Sequence, residues 1–543
     1  MLLSVNNLNT WFRQQGRTIK AVDGVSFHID RGETYCLVGE SGSGKSITAL
    51  SIMRLLPQSN LQRHDGEIRF EGGGQAPVDL AGLSEADMRQ VRGGQIAMIF
   101  QEPMSSLNPV FTIGEQILEA VQLHFPELDE NAAWARVVQS LQEVQLPDPE
   151  TRVHAYPHQL SGGQRQRVMI AMAMACEPDL LIADEPTTAL DVTVQREILR
   201  LMKALQQRTG MAILFITHDF GVVAAIADRV GVMQRGKLVE SASTDEIIHR
   251  PQHPYSQALI AALPENLARH QRHAPAAGDA APLIRLRQLQ IHFPVRKGVF
   301  RRVVDEVKAV DGVDLEIPRG QILALVGESG SGKTTLGRGI LRLTEPTGGQ
   351  VDFDNTDITR LGRAQLRQFR RNMQIIFQDP ISSLNPRLSI AAIITEPMKV
   401  HGIGADQEER LEIARDLLGQ VQMEEEALWR YPHEFSGGQR QRIGIARALS
   451  LDPAFIVCDE ITSALDVSVQ AEILRMLLEL RTQRGLTLLF ITHNIGVVEY
   501  VSDQTAVMYQ GRIVERGLTA DIVKRPQHPY TRQLIAAVPR VPL

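Results

Sequence analysis

At 543 residues the chain is too long for a single hydrophobic core and calls for two to four domains. An apolar fraction of 43% and a charged fraction of 22% are those of an ordinary globular protein, and a net charge of −6 gives no global sign of a polyanion partner, while leaving room for local basic patches. The longest apolar runs, such as Ala212 to Ile216, are strand-length and none approaches the 18 residues of a membrane helix; with no basic leader at Met1-Leu2-Leu3, the expectation is a soluble, cytosolic chain.

In chain order, Lys20-Ala21-Val22-Asp23-Gly24-Val25 comes first and recurs as Lys308 to Val313. An apolar strand, Thr34 to Val38, then runs into Gly39-Glu40-Ser41-Gly42-Ser43-Gly44-Lys45-Ser46, and a helix is predicted over Ile47 to Leu56. The same succession returns as Ile322 to Val326, then Gly327-Glu328-Ser329-Gly330-Ser331-Gly332-Lys333-Thr334, then a helix over Thr335 to Leu343. Both loops fit G-x-x-x-x-G-K-[ST], in which glycines let backbone N–H groups turn toward a phosphate, the lysine reaches its oxygens, the Ser or Thr hydroxyl meets Mg²⁺, and the following helix adds its positive end. At average residue usage one chance match in such a chain has odds of about 0.02, so two matches argue strongly against an ordinary glycine-rich turn.

Ile99-Phe100-Gln101-Glu102-Pro103 recurs as Ile376-Phe377-Gln378-Asp379-Pro380, each followed by Ser-Ser-Leu-Asn-Pro ending at Pro109 or Pro386. Gln101 and Gln378 can reach Mg²⁺ or an attacking water, and the shared segment after them suggests a docking surface. A more helical middle follows, with Ile113, Ile117 and Val121 at helical spacing. Tyr156-Pro157-His158 and Tyr431-Pro432-His433 precede Ser161-Gly162-Gly163-Gln164 and Ser436-Gly437-Gly438-Gln439. Each serine is a good N-cap, and the helix it opens offers an anion site.

Leu180 to Glu185 and Phe455 to Glu460 are apolar strands ending in paired carboxylates. Asp184 or Asp459 can hold Mg²⁺ through water, and Glu185 or Glu460 can polarise the water that attacks a γ-phosphate. A lone Asp-Glu is commonly just a charged strand end; behind a phosphate loop, and in duplicate, that plain reading is weak. Thr217-His218 and Thr492-His493 end another strand, and the matched placement favours a histidine on the γ-phosphate over a structural one. Arg250-Pro251-Gln252-His253-Pro254-Tyr255 recurs as Arg525 to Tyr530. Cys36, Cys176 and Cys458 are isolated and read as small core residues rather than a disulfide, zinc site or iron–sulfur cluster.

These repeats divide the chain into two α/β domains, 1–264 and 283–543, joined by an Ala-rich linker, 265–282. Each is expected to hold a mainly parallel sheet with helices on both faces and an inserted helical subdomain. A basic insertion near Arg296 to Arg302 in the second copy is expected to be a solvated hairpin or loop.

With these residues in place, the chain resembles an ABC-type ATPase carrying two P-loop NTPase domains, and the resemblance covers nearly its whole length. It rests on the order of phosphate loop, glutamine, Ser-Gly-Gly-Gln signature, Walker B strand, D-loop (Ala189-Leu190-Asp191; Ala464-Leu465-Asp466) and switch histidine. Gln-Glu-Pro-Met-Ser-Ser-Leu-Asn-Pro from Gln101, Tyr-Pro-His and Pro-Gln-His-Pro-Tyr narrow it to the dipeptide, oligopeptide, nickel and glutathione importer subfamily, with fused glutathione or microcin C-type peptide importers as the nearest likeness. The resemblance implies ATP and Mg²⁺ as cofactors and a head-to-tail closure on two ATPs. One site would use Lys45, Ser46, Gln101, Asp184, Glu185 and His218 with the signature from Ser436. The other would use Lys333, Thr334, Gln378, Asp459, Glu460 and His493 with the signature from Ser161. Thr335 would join the second phosphate site, and Phe12 and Phe293 would stack on adenine, with Trp11 a rival for the first. The implied partners are two multi-span permease subunits and a periplasmic solute-binding protein, with the chain peripheral on the cytoplasmic face of the bacterial inner membrane. No nucleic acid is expected as a partner, and no iron–sulfur cluster either, the tails lacking the cysteines through which some relatives bind one. Ile461 stands where Pro186 stands in the first copy and where the family usually has proline; both sites are still expected to hydrolyse ATP. The competing class, a soluble tandem ABC ATPase acting on ribosomes or DNA, usually has a long charged helical linker or cysteine-rich insertions, which this sequence lacks.

Overall fold

The computed structural model describes residues 1–14, 16–74, 76–101, 106–188, 190–267, 282–297, 302–463 and 465–538. By internal contacts the chain divides into two compact units, the first beginning at Met1 and running to Ile260, the second from Ala261 to Val538. Ala262 and Leu267 lie in the core of the second unit, and most of the linker is outside the described residues.

Each unit holds the same two sheets. In the first, a six-stranded sheet runs in the order Lys237–Ser243, Arg229–Gln234, Thr34–Val38, Ala212–Ile216, Leu180–Asp184, Ile96–Ile99. All neighbours are parallel except the first pair. Three of the four inner strands, Thr34–Val38, Leu180–Asp184 and Ala212–Ile216, are buried at every residue, as strands covered on both faces must be. The second unit repeats the order with Arg512–Leu518, Gln504–Tyr509, Ile322–Val326, Thr487–Ile491, Phe455–Asp459 and Met373–Ile376.

A four-stranded antiparallel sheet, ordered Arg17–Ile29, Leu3–Gln14, Leu61–Phe70, Val78–Asp79, was outside the expectation of a mainly parallel core with a helical insert. Bulges between Val5 and Leu8 and between Thr10 and Trp11 break the period-two alternation by which such strands are read from sequence. This sheet shares one apolar core with the parallel one. Leu3, Val5 and Ile29 join Ile182, Leu214 and Ile216 around Ala49 and Ile52 of the helix Lys45–Ile52. That helix, and Lys333–Ile340 in the second copy, starts at the loop lysine and ends earlier than predicted.

The helical middle follows its sequence pattern. Thr112 and Glu115 close a reciprocal capping box at the start of Ile113–His124, and Ile113, Ile117 and Val121 are fully buried. Around the basic insertion, Ile284–Lys297 pairs antiparallel with Arg302–Ile317 up to Lys297 opposite Arg302, and residues 298–301 lie outside the described ones. The three cysteines are free and buried; burial pushes the Cys458 thiol up to about 12 and Cys176 to about 11. Among the described residues no helix is long and apolar enough to cross a membrane.

Candidate nucleotide sites

Strand order decides where the chemistry gathers. The pairings Leu37 with Ile216, Asp184 with Ile216 and Ile99 with Ala183 align four neighbouring strand ends. Gly39, Glu185, His218 and Gln101 follow those ends, on the carboxyl edge where ligands bind open α/β sheets.

The phosphate loops are wound tightly. Gly44 has φ +106°, and a Cβ there would lie 2.2 Å from the Ala21 carbonyl oxygen; Gly332 has φ +104° and the matching distance to Ala309 is 2.0 Å. Only glycine fits such a position. The lysine bridges the turn: Lys45 Nζ donates to the carbonyls of Gly39 at 2.7 Å and Glu40 at 3.0 Å. Lys333 Nζ does the same to Gly327 at 2.9 Å and Glu328 at 2.8 Å. Ser43 and Ser331 are buried, Ser41, Gly42, Ser329 and Gly330 are exposed, and Thr335 is half-buried in the first helical turn.

The Ser46 hydroxyl donates to Asp184 Oδ1 at 3.0 Å, and Thr334 to Asp459 Oδ1 at 2.9 Å. Burial pushes both aspartates above the usual carboxylate range, against those hydrogen bonds. The next residue turns sharply: Glu185 and Glu460 sit at φ 46° and 47°, left-handed positions that non-glycine residues seldom take.

Glu185 gathers donors on both oxygens. Gln101 Nε2 donates to Oε2 at 3.0 Å, Thr188 Oγ1 to Oε2 at 3.0 Å, and His218 Nδ1 lies 3.2 Å from Oε1. In the second copy Gln378 Nε2 donates to Glu460 Oε2 at 2.8 Å and His493 Nδ1 lies 3.5 Å from Oε1. Burial opposes ionisation of both glutamates, but the hydrogen bond and charge of the histidine, together with the loop lysine and, at Glu185, Thr188, outweigh it and hold each carboxyl low. The hydrogen bond to Glu185 in turn raises His218. All six candidate catalytic residues therefore fall into two matching triads.

The signature segments open helices, as their serines indicate. Ser161 and Gln164, like Ser436 and Gln439, form reciprocal capping boxes at Gly162–Met174 and Gly437–Leu449. Ser161, Gly162, Ser436 and Gly437 are exposed. A Cβ at Gly163 would lie 2.6 Å from Val194 Cγ1, and at Gly438 2.4 Å from Val469 Cγ1, so these glycines let the helix after Walker B pack close. Arg165 donates to the Pro157 carbonyl at 2.7 Å and Arg440 to Pro432 at 2.8 Å, which ties Tyr-Pro-His to the signature. Asp191 of the D-loop caps Val192–Thr209; Ala189 and Ala464 lie outside the described residues, as do Glu102 to Ser105.

The two candidate adenine aromatics differ. Phe12 is buried, because the strand Leu61–Phe70 extends to pair Leu61 with it. Phe293 is 43% exposed, because Gly348–Phe353 stops at Gln290. Trp11 lies between Lys20 and Arg63, 4.5 Å and 4.4 Å from its ring centre. Three site contacts escape the sequence reading: that of Thr188 and those of the tail tyrosines, Tyr255 and Tyr530. Tyr255 Oη accepts from Glu40 N at 3.3 Å and Tyr530 Oη from Glu328 N at 3.0 Å, inside the phosphate loops. Nothing in the local sequence signals a contact across more than 200 residues.

A family model described as ABC transporter matches residues 22–188 and again 310–463. One described as Oligopeptide/dipeptide transporter, C-terminal region, matches 239–288 and 514–542. The chain is 49% identical over 559 aligned positions to the glutathione import ATP-binding protein GsiA of Salmonella paratyphi A, covering 99% of this chain and 89% of that protein. The protein of the same name from Pectobacterium atrosepticum is 48% identical with the same coverage, and that from Escherichia coli O157:H7 is 49% identical. Among solved structures, a dimeric ATP-binding cassette bound to ADP and Pi has TM-score 0.40 and 26% identity, covering 45% of this chain and 99% of that one.

Proposed function

Since the chain belongs to the ABC transporter ATP-binding family, with the oligopeptide/dipeptide transporter C-terminal region in both halves, we propose that it is the ATP-hydrolysing subunit of an importer of glutathione or a related peptide-like solute. The reading that it acts on ribosomes or DNA is not favoured. The observation that carries the proposal is the duplicate triad, Gln101–Glu185–His218 and Gln378–Glu460–His493, each beside a phosphate loop. The solute class is supported by relatives named for glutathione import.

The two domains, 1–264 and 283–543 with 265–282 between them, would each bind one ATP as substrate. Loop N–H groups from Gly39 to Ser46 and Gly327 to Thr334 would cradle its phosphates, with Lys45 and Lys333 exchanging loop carbonyls for phosphate oxygens. The exposed signature starts at Ser161 and Ser436 would meet nucleotide with their helix ends. Phe293 has the exposure to stack on a base, while Phe12 would need its covering strand to move. Mg²⁺ fits the hard-oxygen donors Ser46 with Asp184 and Thr334 with Asp459, and Gln101 and Gln378 stand within reach. When bound, it supplies positive charge to the phosphates and to aspartates that burial otherwise biases toward the neutral form.

Glu185 and Glu460 would accept the proton of the attacking water. While His218 and Thr188 hold Glu185 low it is a weak base, and losing a donor from its oxygens would strengthen it. Movement of the glutamine is therefore the natural gate, and a permease docked at the segment after Gln101 or Gln378 would drive it. With its partners, two permeases and a periplasmic binding protein, the chain would work peripherally on the cytoplasmic membrane face.

The test is uptake of labelled glutathione by cells lacking this chain. Uptake is expected to return with the wild-type chain and not with Glu185→Gln. Restored uptake of neither glutathione nor any short peptide would reject the solute class.

A further inference from the structure

The Pro-Gln-His-Pro-Tyr segment is arranged to deliver one hydroxyl. Glu240 accepts from the backbone N–H groups of Gln252 at 2.7 Å and His253 at 3.1 Å, which anchors the segment to the strand Lys237–Ser243. His253 Nδ1 then accepts from Tyr255 N at 3.2 Å, capping the helix Pro254–Ala261, whose first residue is proline. Tyr255, one position on, reaches the phosphate loop. The second copy repeats every step: Glu515 to Gln527 and His528 at 2.7 and 3.0 Å, His528 to Tyr530 at 3.2 Å. There the ring is held further by Tyr509, 4.1 Å away between ring centres.

The hydroxyl meets a particular residue. Glu40 has its N–H bonded to Tyr255 and its carbonyl bonded to Lys45; Glu328 is held likewise by Tyr530 and Lys333. The second residue of each loop is thus pinned from both sides, and one pin is the lysine that must meet phosphate.

We infer that Tyr255 and Tyr530 are positioning residues for nucleotide binding, through which the C-terminal segment of each half sets the ATP affinity of its own phosphate loop. Without the hydroxyl, the residue whose carbonyl seats the lysine loses its N–H hold, while the lysine and a loop N–H (Ser43 or Ser331) still hold that carbonyl, so more of the loop's ordering falls to the arriving nucleotide. The inference rests on the ATP reading above.

The experiment titrates the full-length purified chain with Mg²⁺ and the fluorescent ATP analogue MANT-ATP, and follows ATP hydrolysis and thermal unfolding in parallel. Tyr255→Phe and Tyr530→Phe keep the rings and remove the neutral hydrogen bond to the loop N–H, so affinity at the altered site is expected to fall about five-fold. KM for ATP should rise accordingly, with kcat within about two-fold. Glu240→Gln, which loosens the anchor and leaves the tyrosine in place, should lower affinity less. Unchanged affinity in both tyrosine variants, beside a wild-type chain that binds, overturns the inference. A lowered Tm with unchanged affinity assigns the hydroxyl to packing and overturns it equally. No binding by the wild-type chain would instead overturn the ATP reading itself.

Discussion

At Glu185 the carboxylate takes a third donor from Thr188, whereas at Glu460 the equivalent Ser463 turns its hydroxyl onto the backbone carbonyl of Glu460, 2.9 Å away. The histidine is also farther in the second centre, 3.5 Å against 3.2 Å, and the carboxylate more open, 18% against 13% exposed. The contrast falls in the segment where Pro186 becomes Ile461. It teaches that two copies of one motif can keep the same roles while one neighbour sets how firmly the base is held.

The largest effect expected is from removing the bases. Glu185→Gln and Glu460→Gln should each lower ATP turnover about 100-fold or more while nucleotide binding persists. Full turnover by Glu460→Gln would break the comparison, by showing that the second centre is not needed.

Loop strain comes next. Gly44→Ala would force a Cβ to within 2.2 Å of a carbonyl and should abolish nucleotide binding. Gly42→Ala, at φ +76° with open space around it, should cost only about 1–2 kcal/mol, read from urea midpoints. At the signature, Gly163→Ala and Gly438→Ala should each destabilise by about 1–3 kcal/mol through Val194 and Val469.

The pH behaviour of the first pair has a defined sign. Glu185 is held low and His218 high, so their mutual stabilisation is complete between the ordinary glutamate value and the ordinary histidine value. It is lost as pH falls through the depressed Glu185 value and as pH rises through the raised His218 value. Urea midpoints of wild type and Glu185→Gln should differ most inside that window and converge outside it, and the His218 resonance should titrate lower in the variant.

The smallest effect sharpens the comparison. Thr188→Ala removes a donor from the ionised carboxylate, so the acid limb of kcat/KM should move to higher pH. Ser463→Ala touches no carboxylate oxygen and should leave that limb in place.

Much of this was open to sequence reasoning because it is local. A phosphate loop needs its glycines at fixed intervals, a buried parallel strand reads as an apolar run, and a capping serine announces its helix; the repeat then removes chance. The helical subdomain followed from Ile113, Ile117 and Val121 for the same reason. The antiparallel sheet did not, since bulges scramble the alternation that marks its strands. Nor did the fate of Phe12, which depends on how far the separate strand Leu61–Phe70 extends.

By itself, then, the sequence determined which residue types stand at each strand end, and that there are two sets of them. Only tertiary structure decided their company: that Gln101 and His218 hold opposite oxygens of one glutamate, that Glu185 takes a left-handed turn, and that a tyrosine some 200 residues away pins the phosphate loop. The physical reason is that covalent spacing controls contacts within a turn or a strand, whereas contacts between strand ends depend on sheet order, which many distant apolar residues choose together.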